Sequence, residues 1–257
     1  MMKVGIVGLG HMGTAMAEGF IKQSQRSDLS LVARTSNAKK AIDLGLTAYS
    51  TDQAFLSADL DVLILAVPAN VTVSVLKGLV VAGLSTKTLI LSAAAAVSSD
   101  ELAAVAPTNA IFPFIPNIPV SVNAGTISLA LTAHSTDEQK AEVQKLLESL
   151  GDVLVVKEAQ LSIAGVVGGC SPAFVDVLMD AMEDAAVAKG MDREKAKAIV
   201  ASSVRGTALL AQSSDLSFAD LKGQITSPGG TTIQGVLALD KNGFRHAVHE
   251  AIQAANR

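Results

Sequence analysis

Near its start the chain runs through Lys3-Val4-Gly5-Ile6-Val7, a short apolar, β-branched stretch, and passes at once into Gly8-Leu9-Gly10-His11-Met12-Gly13. No other feature limits the fold as strongly. A run of this kind suits a strand buried on both faces, and residues 14–22 behind it have helical character. The three glycines then take separate tasks. Gly8 permits the tight turn, Gly10 lets backbone approach a pyrophosphate, and Gly13 lets helix and strand pack closely. Between a strand and a helix, the motif predicts a dinucleotide-binding unit with Gly8, Leu9, Gly10, His11, Met12 and Gly13 at the nucleotide. His11 is expected to serve through its backbone more than through its ring.

The next strand, residues 29–33, ends in Arg34-Thr35-Ser36. A site for NAD would carry Asp or Glu at this place, to accept from the ribose 2′-hydroxyl. A guanidinium and two hydroxyls suit a 2′-phosphate instead, so NADPH is the expected cofactor and NADH the alternative. Residues 61–67 and 88–92 read as further buried strands. The first leads through Ala66 and Val67 into Pro68, the second into the small-residue loop Ala93-Ala94-Ala95-Ala96. With a helix over residues 71–81 between them, the alternation is βαβ, which predicts a parallel sheet. Residues 112–119 are rich enough in proline to read as a rigid loop. Strand character resumes over 126–132, a helix is expected over 136–150, and residues 152–156 form a last strand at the sheet edge. The nucleotide domain spans residues 1–157.

From Glu158 on, strand signals disappear. Residues 161–189 make a long apolar helical stretch, interrupted near Gly168-Gly169-Cys170-Ser171-Pro172, with few charges. Such a helix belongs in a core or in a subunit interface. Further helices are expected over 192–212, 218–224, 231–239 and 244–255. About a hundred helical residues without tryptophan make a thin core alone, so residues 158–257 are expected to pair with a second copy.

Other chemistry is limited. With net charge −4 and no Lys/Arg cluster, nucleic acid is not an expected partner. The single cysteine, Cys170, excludes an internal disulfide and a Cys-rich metal site, and fits a reducing cytoplasm. Residues 102–136 lack any charged side chain, but four of the seven prolines interrupt them, so no clean membrane span results and a soluble protein is expected. No metal-ligand spacing and no nucleophile elbow is present. His246 and His249 read as a solvated pair, and Cys170 as a packing residue. Glu158, Thr231 and Thr232 remain. Residues 225–235, Ile-Thr-Ser-Pro-Gly-Gly-Thr-Thr-Ile-Gln-Gly, break the chain and start a helix whose exposed N–H groups favour a carboxylate. This equipment suits hydride transfer to a substrate that is already electrophilic.

Three elements in order, Gly8-Leu9-Gly10-His11-Met12-Gly13, Gly169-Cys170-Ser171-Pro172-Ala173-Phe174 and Thr226-Ser227-Pro228-Gly229-Gly230-Thr231-Thr232, resemble the pyrroline-5-carboxylate reductase family, as does Asn242-Gly243-Phe244-Arg245. The resemblance implies an α/β fold: an N-terminal Rossmann dinucleotide-binding domain followed by an all-α dimerisation and substrate domain. It implies NAD(P)H-dependent reduction of a cyclic imine to L-proline, in homodimers with intertwined helices that assemble further, for example into decamers. It further implies that Thr232 hydrogen-bonds the ring nitrogen as the catalytic residue. The substrate carboxylate would rest on Gly229, Gly230 and Thr231, with Glu158 nearby. Ala66, Val67, Pro68, Ala95, Asn117 and Gln224 fall where the family lines its cofactor. The chain departs from the family pattern at Pro68, where a lysine usually precedes the proline, and at Pro113, Ala96 and Ser171. Two alternatives stay open: reduction of a related cyclic imino acid, and a catalytically weak nucleotide-binding paralogue. A β-hydroxyacid dehydrogenase would want a lysine that residues 170–175 lack.

Overall fold

The computed structural model describes residues 1–24, 29–94, 96–133 and 135–256. Two compact units divide the chain, Met1–Pro172 and Ala173–Arg257. In the first, eight strands alternate with helices: β1 (Met2–Val7), α1 (His11–Ser24), β2 (Leu29–Arg34), α2 (Ala38–Asp43), β3 (Thr47–Tyr49), α3 (Asp52–Leu56), β4 (Val62–Leu65), α4 (Ala69–Val81), β5 (Leu89–Ser92), α5 (Ser99–Ala103), β6 (Ile111–Ile115), β7 (Gly125–Ala130), α6 (Asp137–Glu148) and β8 (Gly151–Val156). The strands form one sheet in the order β3-β2-β1-β4-β5-β6-β7-β8. From β1 the chain runs outward to β2 and β3, then returns to the other side of β1 with β4. The crevice between the carboxyl ends of β1 and β4 is therefore the switch point at which such sheets bind ligands.

Burial explains why the central strands read as unbroken apolar runs. Val62, Leu63, Ile64 and Leu65 of β4 are all fully buried. Val62 and Ile64 join Val4 and Ile6 of β1 and Met16 and Phe20 of α1 in one core layer. Leu63 and Leu65 join Leu76 and Leu79 of α4 in the layer on the opposite face.

The parallel sheet expected from the alternation holds through β6 and then reverses, because β7 pairs antiparallel to β6 before β8 pairs parallel to β7. Between β6 and β7 lie only residues 116–124, with a 3-10 turn over Ile118–Val122, too short for a crossover. The rigid loop expected over 112–119 is strand in its first half, residues 112–115. Pro113 stands inside β6, opposite Ser92 of β5, while the β6–β7 pairs are Phe114 with Leu129 and Ile115 with Ser128. That pairing lies beyond the residue without an N–H, which is how proline is tolerated there. The edge position expected for residues 152–156 is the one β8 occupies.

After β8 come α7 (Leu161–Gly165), a π-helical turn over Val166–Cys170, and α8 (Ser171–Val187). The interruption expected near Gly168 is this wider turn rather than a break. Opening the helix by one residue before Pro172 accommodates the donor that proline lacks. Gly165 lets α7 lie on β6, since a Cβ there would stand 2.7 Å from Ile115 Cδ1.

The second unit holds most of α8, then α9 (Arg193–Gln212), α10 (Phe218–Ile225), α11 (Thr231–Lys241) and α12 (Phe244–Ala255). Arg193 donates to Glu183 at 2.7 Å and to Asp184 at 2.9 Å, tying the start of α9 to α8, and these two bonds raise its pKa above the ordinary arginine value. Among the described apolar residues of this unit, only Ala196, Val200 and Leu221 are buried.

Candidate active site

The glycine loop sits at the switch point. Gly8 has a φ of +95°, and a Cβ there would stand 2.7 Å from the Ala66 carbonyl oxygen. Its N–H donates to the Arg34 carbonyl at 3.0 Å, so the ends of β1, β2 and β4 are drawn together. At Gly13 a Cβ would collide with the Gly8 carbonyl oxygen, which fixes how closely α1 can approach β1. Gly10 is different: nothing lies within 4 Å of its added Cβ. Its backbone faces open space, the cradle a pyrophosphate needs. Leu9 is buried and anchors the loop, Met12 packs on the core, and His11 is the exposed first residue of α1.

A cleft of about 580 Å³ opens over this loop, walled by Gly8, Leu9, Gly10, Arg34, Thr35, Ser36 and Val67. Thr35 is buried, and its Oγ1 accepts from the Asn37 N–H at 3.0 Å; Ser36 is exposed. Arg34 Nε donates to Asp52 Oδ1 at 2.8 Å. Ala66 donates its N–H to the Val7 carbonyl at 2.9 Å, and Pro68 is the N-cap of α4. Ala95 lies outside the described residues.

A second cleft, of about 450 Å³, is walled by Ser92, Ala94, Ala96, Pro113, Phe114 and Glu158 among others. Glu158 spends both carboxylate oxygens on Ser99: Oε1 accepts the backbone N–H and Oε2 the hydroxyl, each at 2.6 Å. Next to it, Ser98 and Glu101 form a capping box at the start of α5. The Ser98 N–H and then its hydroxyl donate to the Glu101 carboxylate and hold its pKa below the ordinary carboxylate range. Asn117 is buried, with Nδ2 donating to the Gly168 carbonyl at 3.0 Å and Oδ1 accepting from the Thr126 N–H at 2.9 Å. Its amide thus joins the π-helical turn to β7.

In the second unit the Ser227-Pro228-Gly229-Gly230 turn starts α11 as expected. Gly229 has a φ of +71°, the Gly230 N–H donates to the Ser227 carbonyl at 3.1 Å, and a Cβ on Gly230 would collide with the Ser227 hydroxyl. Gly230 is the N-cap, and among the described residues no side chain caps the first N–H groups of α11. An eleven-residue helix therefore offers uncapped donors beside two exposed hydroxyls, Thr231 and Thr232. Gln224 is exposed near the end of α10.

Sequence reasoning missed Asp52. Its only signal is Thr51-Asp52 at a helix start, and its place beside Arg34 depends on β3 pairing with β2. It also missed the Ser99 partner of Glu158, 59 residues away in the chain. Among the described residues no group of three or more His, Cys, Asp or Glu side chains could hold a metal ion.

Residues 158–257 match the family model described as pyrroline-5-carboxylate reductase dimerisation. Residues 3–96 match the one described as NADP oxidoreductase coenzyme F420-dependent. The pyrroline-5-carboxylate reductase of Synechocystis is 32% identical over 262 residues, covering 100% of this chain and 96% of that protein. The enzyme of the same name from Escherichia coli is 34% identical over 255 residues, covering 97% and 94%. Among solved structures, Plasmodium falciparum pyrroline carboxylate reductase with NADP bound superposes with a TM-score of 0.87 at 28% identity, covering 99% of this chain and 95% of that one.

Proposed function

The chain belongs to the pyrroline-5-carboxylate reductase family, and from that premise we propose how its own residues divide the reduction of 1-pyrroline-5-carboxylate to L-proline. The protein is an NADP-dependent reductase with a dimerisation region at residues 158–257. When bound, the nicotinamide cofactor supplies the hydride that is added to the carbon of the C=N bond. The ring nitrogen can carry its own proton from solvent, so the chain needs no strong acid at the reacting bond. Its work is binding, orientation and exclusion of water.

The observation that carries this reading is the uncapped start of α11 behind a left-handed Gly229. The N–H groups of Gly229, Gly230 and Thr231 hold the substrate carboxylate, and the Thr232 hydroxyl hydrogen-bonds the ring nitrogen as the catalytic residue. Glu158, its carboxylate held by Ser99, positions the wall of the substrate pocket. On the cofactor side the backbone from Gly8 to Gly13 carries the pyrophosphate, and Arg34, Thr35 and Ser36 take the 2′-phosphate. Ala66, Val67 and Pro68 flank the nicotinamide half, and Gln224 is assigned to the cofactor as well. Asn117 contributes by fixing the π-helical turn. Residues 1–157 act as the nucleotide domain and 158–257 as the dimerisation and substrate domain. Two chains pair through intertwined helices and the pairs build a larger ring such as a decamer. A cytoplasmic setting fits the single cysteine.

Oxidation of NADPH with pyrroline-5-carboxylate, and with its six-membered homologue for comparison, tests the reaction. Turnover is expected to favour the five-membered ring, and no turnover at saturating substrate would refute the reading. Thr232→Ala is expected to lower kcat by about tenfold or more, the value of one hydrogen bond made in the transition state, with NADPH affinity unchanged. Loss of both together would make the stretch structural.

A further inference from the structure

The nucleotide cleft contains a carboxylate. Asp52, the first residue of α3, lines the same cleft as Gly8, Gly10, Arg34 and Ser36. Its position is held from several sides. The Thr51 hydroxyl accepts from the Ala54 N–H at 3.3 Å and fixes the helix start. Tyr49 pairs with Arg34 in the β2–β3 register. Asp52 Oδ2 lies 3.2 Å from where a Cβ on Gly78 would be, so α4 passes close by the carboxylate.

The contact with Arg34 is one-sided. A single oxygen of Asp52 accepts from Nε at 2.8 Å, and the two side chains are 34% and 27% exposed. No other hydrogen bond from the Arg34 side chain is found among the described residues. The terminal guanidinium nitrogens therefore keep their donors for a ligand, and Asp52 keeps spare acceptor capacity in the same cleft. The end of β2 offers no acid for a ribose hydroxyl, yet an acid stands beside its arginine.

We infer that Asp52 is a cofactor-selecting residue: it accepts from the ribose 2′-hydroxyl of NADH, so that the Arg34–Asp52 pair serves either nucleotide. With NADPH, Arg34 meets the 2′-phosphate, and the Asp52 charge opposes that phosphate at close range. With NADH the phosphate is absent and the carboxylate finds a hydroxyl donor. The inference rests on the assignment of this cleft to the nucleotide.

The test is calorimetric binding of NADPH, NADH and 2′-deoxyribose NADH to the wild-type dimer and to Asp52→Asn. Asparagine keeps the acceptor that holds Arg34 Nε and removes the charge. NADH is expected to bind about three- to tenfold more weakly to the variant, as for one partly exposed charge-assisted bond, while NADPH binds more tightly. On the wild type, removing the 2′-hydroxyl is expected to weaken NADH by the same factor, and on Asp52→Asn by much less. An unchanged NADPH-to-NADH ratio, or a hydroxyl whose removal costs the wild type nothing, would overturn the role of Asp52 while leaving the cleft assignment standing. Binding of neither nucleotide to the wild type would overturn both. Where Asp52→Asn fails to fold, the same deoxy comparison on Asp52→Ser decides the matter.

Discussion

Glu158→Ala separates holding the site together from touching the substrate. In the folded chain the carboxylate accepts twice from Ser99, at 2.6 Å each, and Ser99 is buried. Bonds to a charged acceptor contribute about 1.5–3 kcal/mol each when shielded, and a buried donor left unpaired adds its own penalty. Glu158 is only half-buried, and water entering the cleft replaces part of what is lost. A net loss of about 2 kcal/mol for the pair is therefore the reasonable figure. For a unit of this size that lowers Tm by about 4–8 °C. Glu158→Gln keeps one acceptor for the Ser99 N–H and should lose about half as much. Calorimetric melting of both variants, beside steady-state kinetics, measures the two roles separately. The expected pattern is a fall in Tm graded from glutamine to alanine, with KM rising in the same order as the α5 wall loosens. An unchanged Tm with a large rise in KM would refute the reasoning, because the carboxylate would then be spent on substrate rather than on Ser99.

Arg34→Asp should weaken NADPH by far more than NADH, on the order of a hundredfold against a few-fold, since a bidentate charge-assisted contact becomes a repulsion; equal losses in direct binding would remove Arg34 from the 2′-phosphate. Ser98→Ala should raise the Glu101 pKa, because the Ser98 hydroxyl is one of the two donors that hold it down. A carboxylate depressed in the folded state stabilises the fold above its unfolded pKa and loses that contribution as pH falls through the folded value. The variant should therefore match the wild type more closely near pH 3 than at pH 7 in thermal melting, and a constant difference across that range would exclude the linkage.

The parts of this molecule legible from sequence are those in which a local steric demand leaves one residue type. Gly8 with φ +95° and Gly229 with φ +71° are two such places, and each is followed directly by a helix start, so motif and context stand within a few residues. The continuous burial of Val62-Leu63-Ile64-Leu65 is likewise written in its composition, since only a strand covered on both faces tolerates four apolar neighbours. What was hidden depends on pairings far apart in the chain. Asp52 meets Arg34 only because β3 aligns with β2, and Glu158 meets Ser99 across 59 residues. The same holds for Asn117, whose amide is bonded to the Gly168 carbonyl 51 residues away and to the Thr126 N–H. Pro113 misled for a different reason. Proline argues against a strand through its missing donor, but that argument fails where the neighbouring ladder forms only beyond it.

The helical half shows why composition alone pointed past a single chain. Helix α8 has no buried residue, and across the second unit Val177 is 72% exposed, Phe218 82% and Leu237 54%. Residues 158–187 are long and apolar enough to cross a membrane, yet only 11% of their most apolar window is buried within the chain. The same residues fall within the matched dimerisation region, which fits a surface covered by a second copy. The first unit has two core layers of its own, whereas the second has three buried apolar side chains among its described residues. Most of the hydrophobic stabilisation of the second unit must therefore come from association, and its stability must depend on protein concentration in a way the first unit's does not. Because Gly229 to Thr232 belong to that second unit, the proposed carboxylate site at the start of α11 should weaken as the protein is diluted.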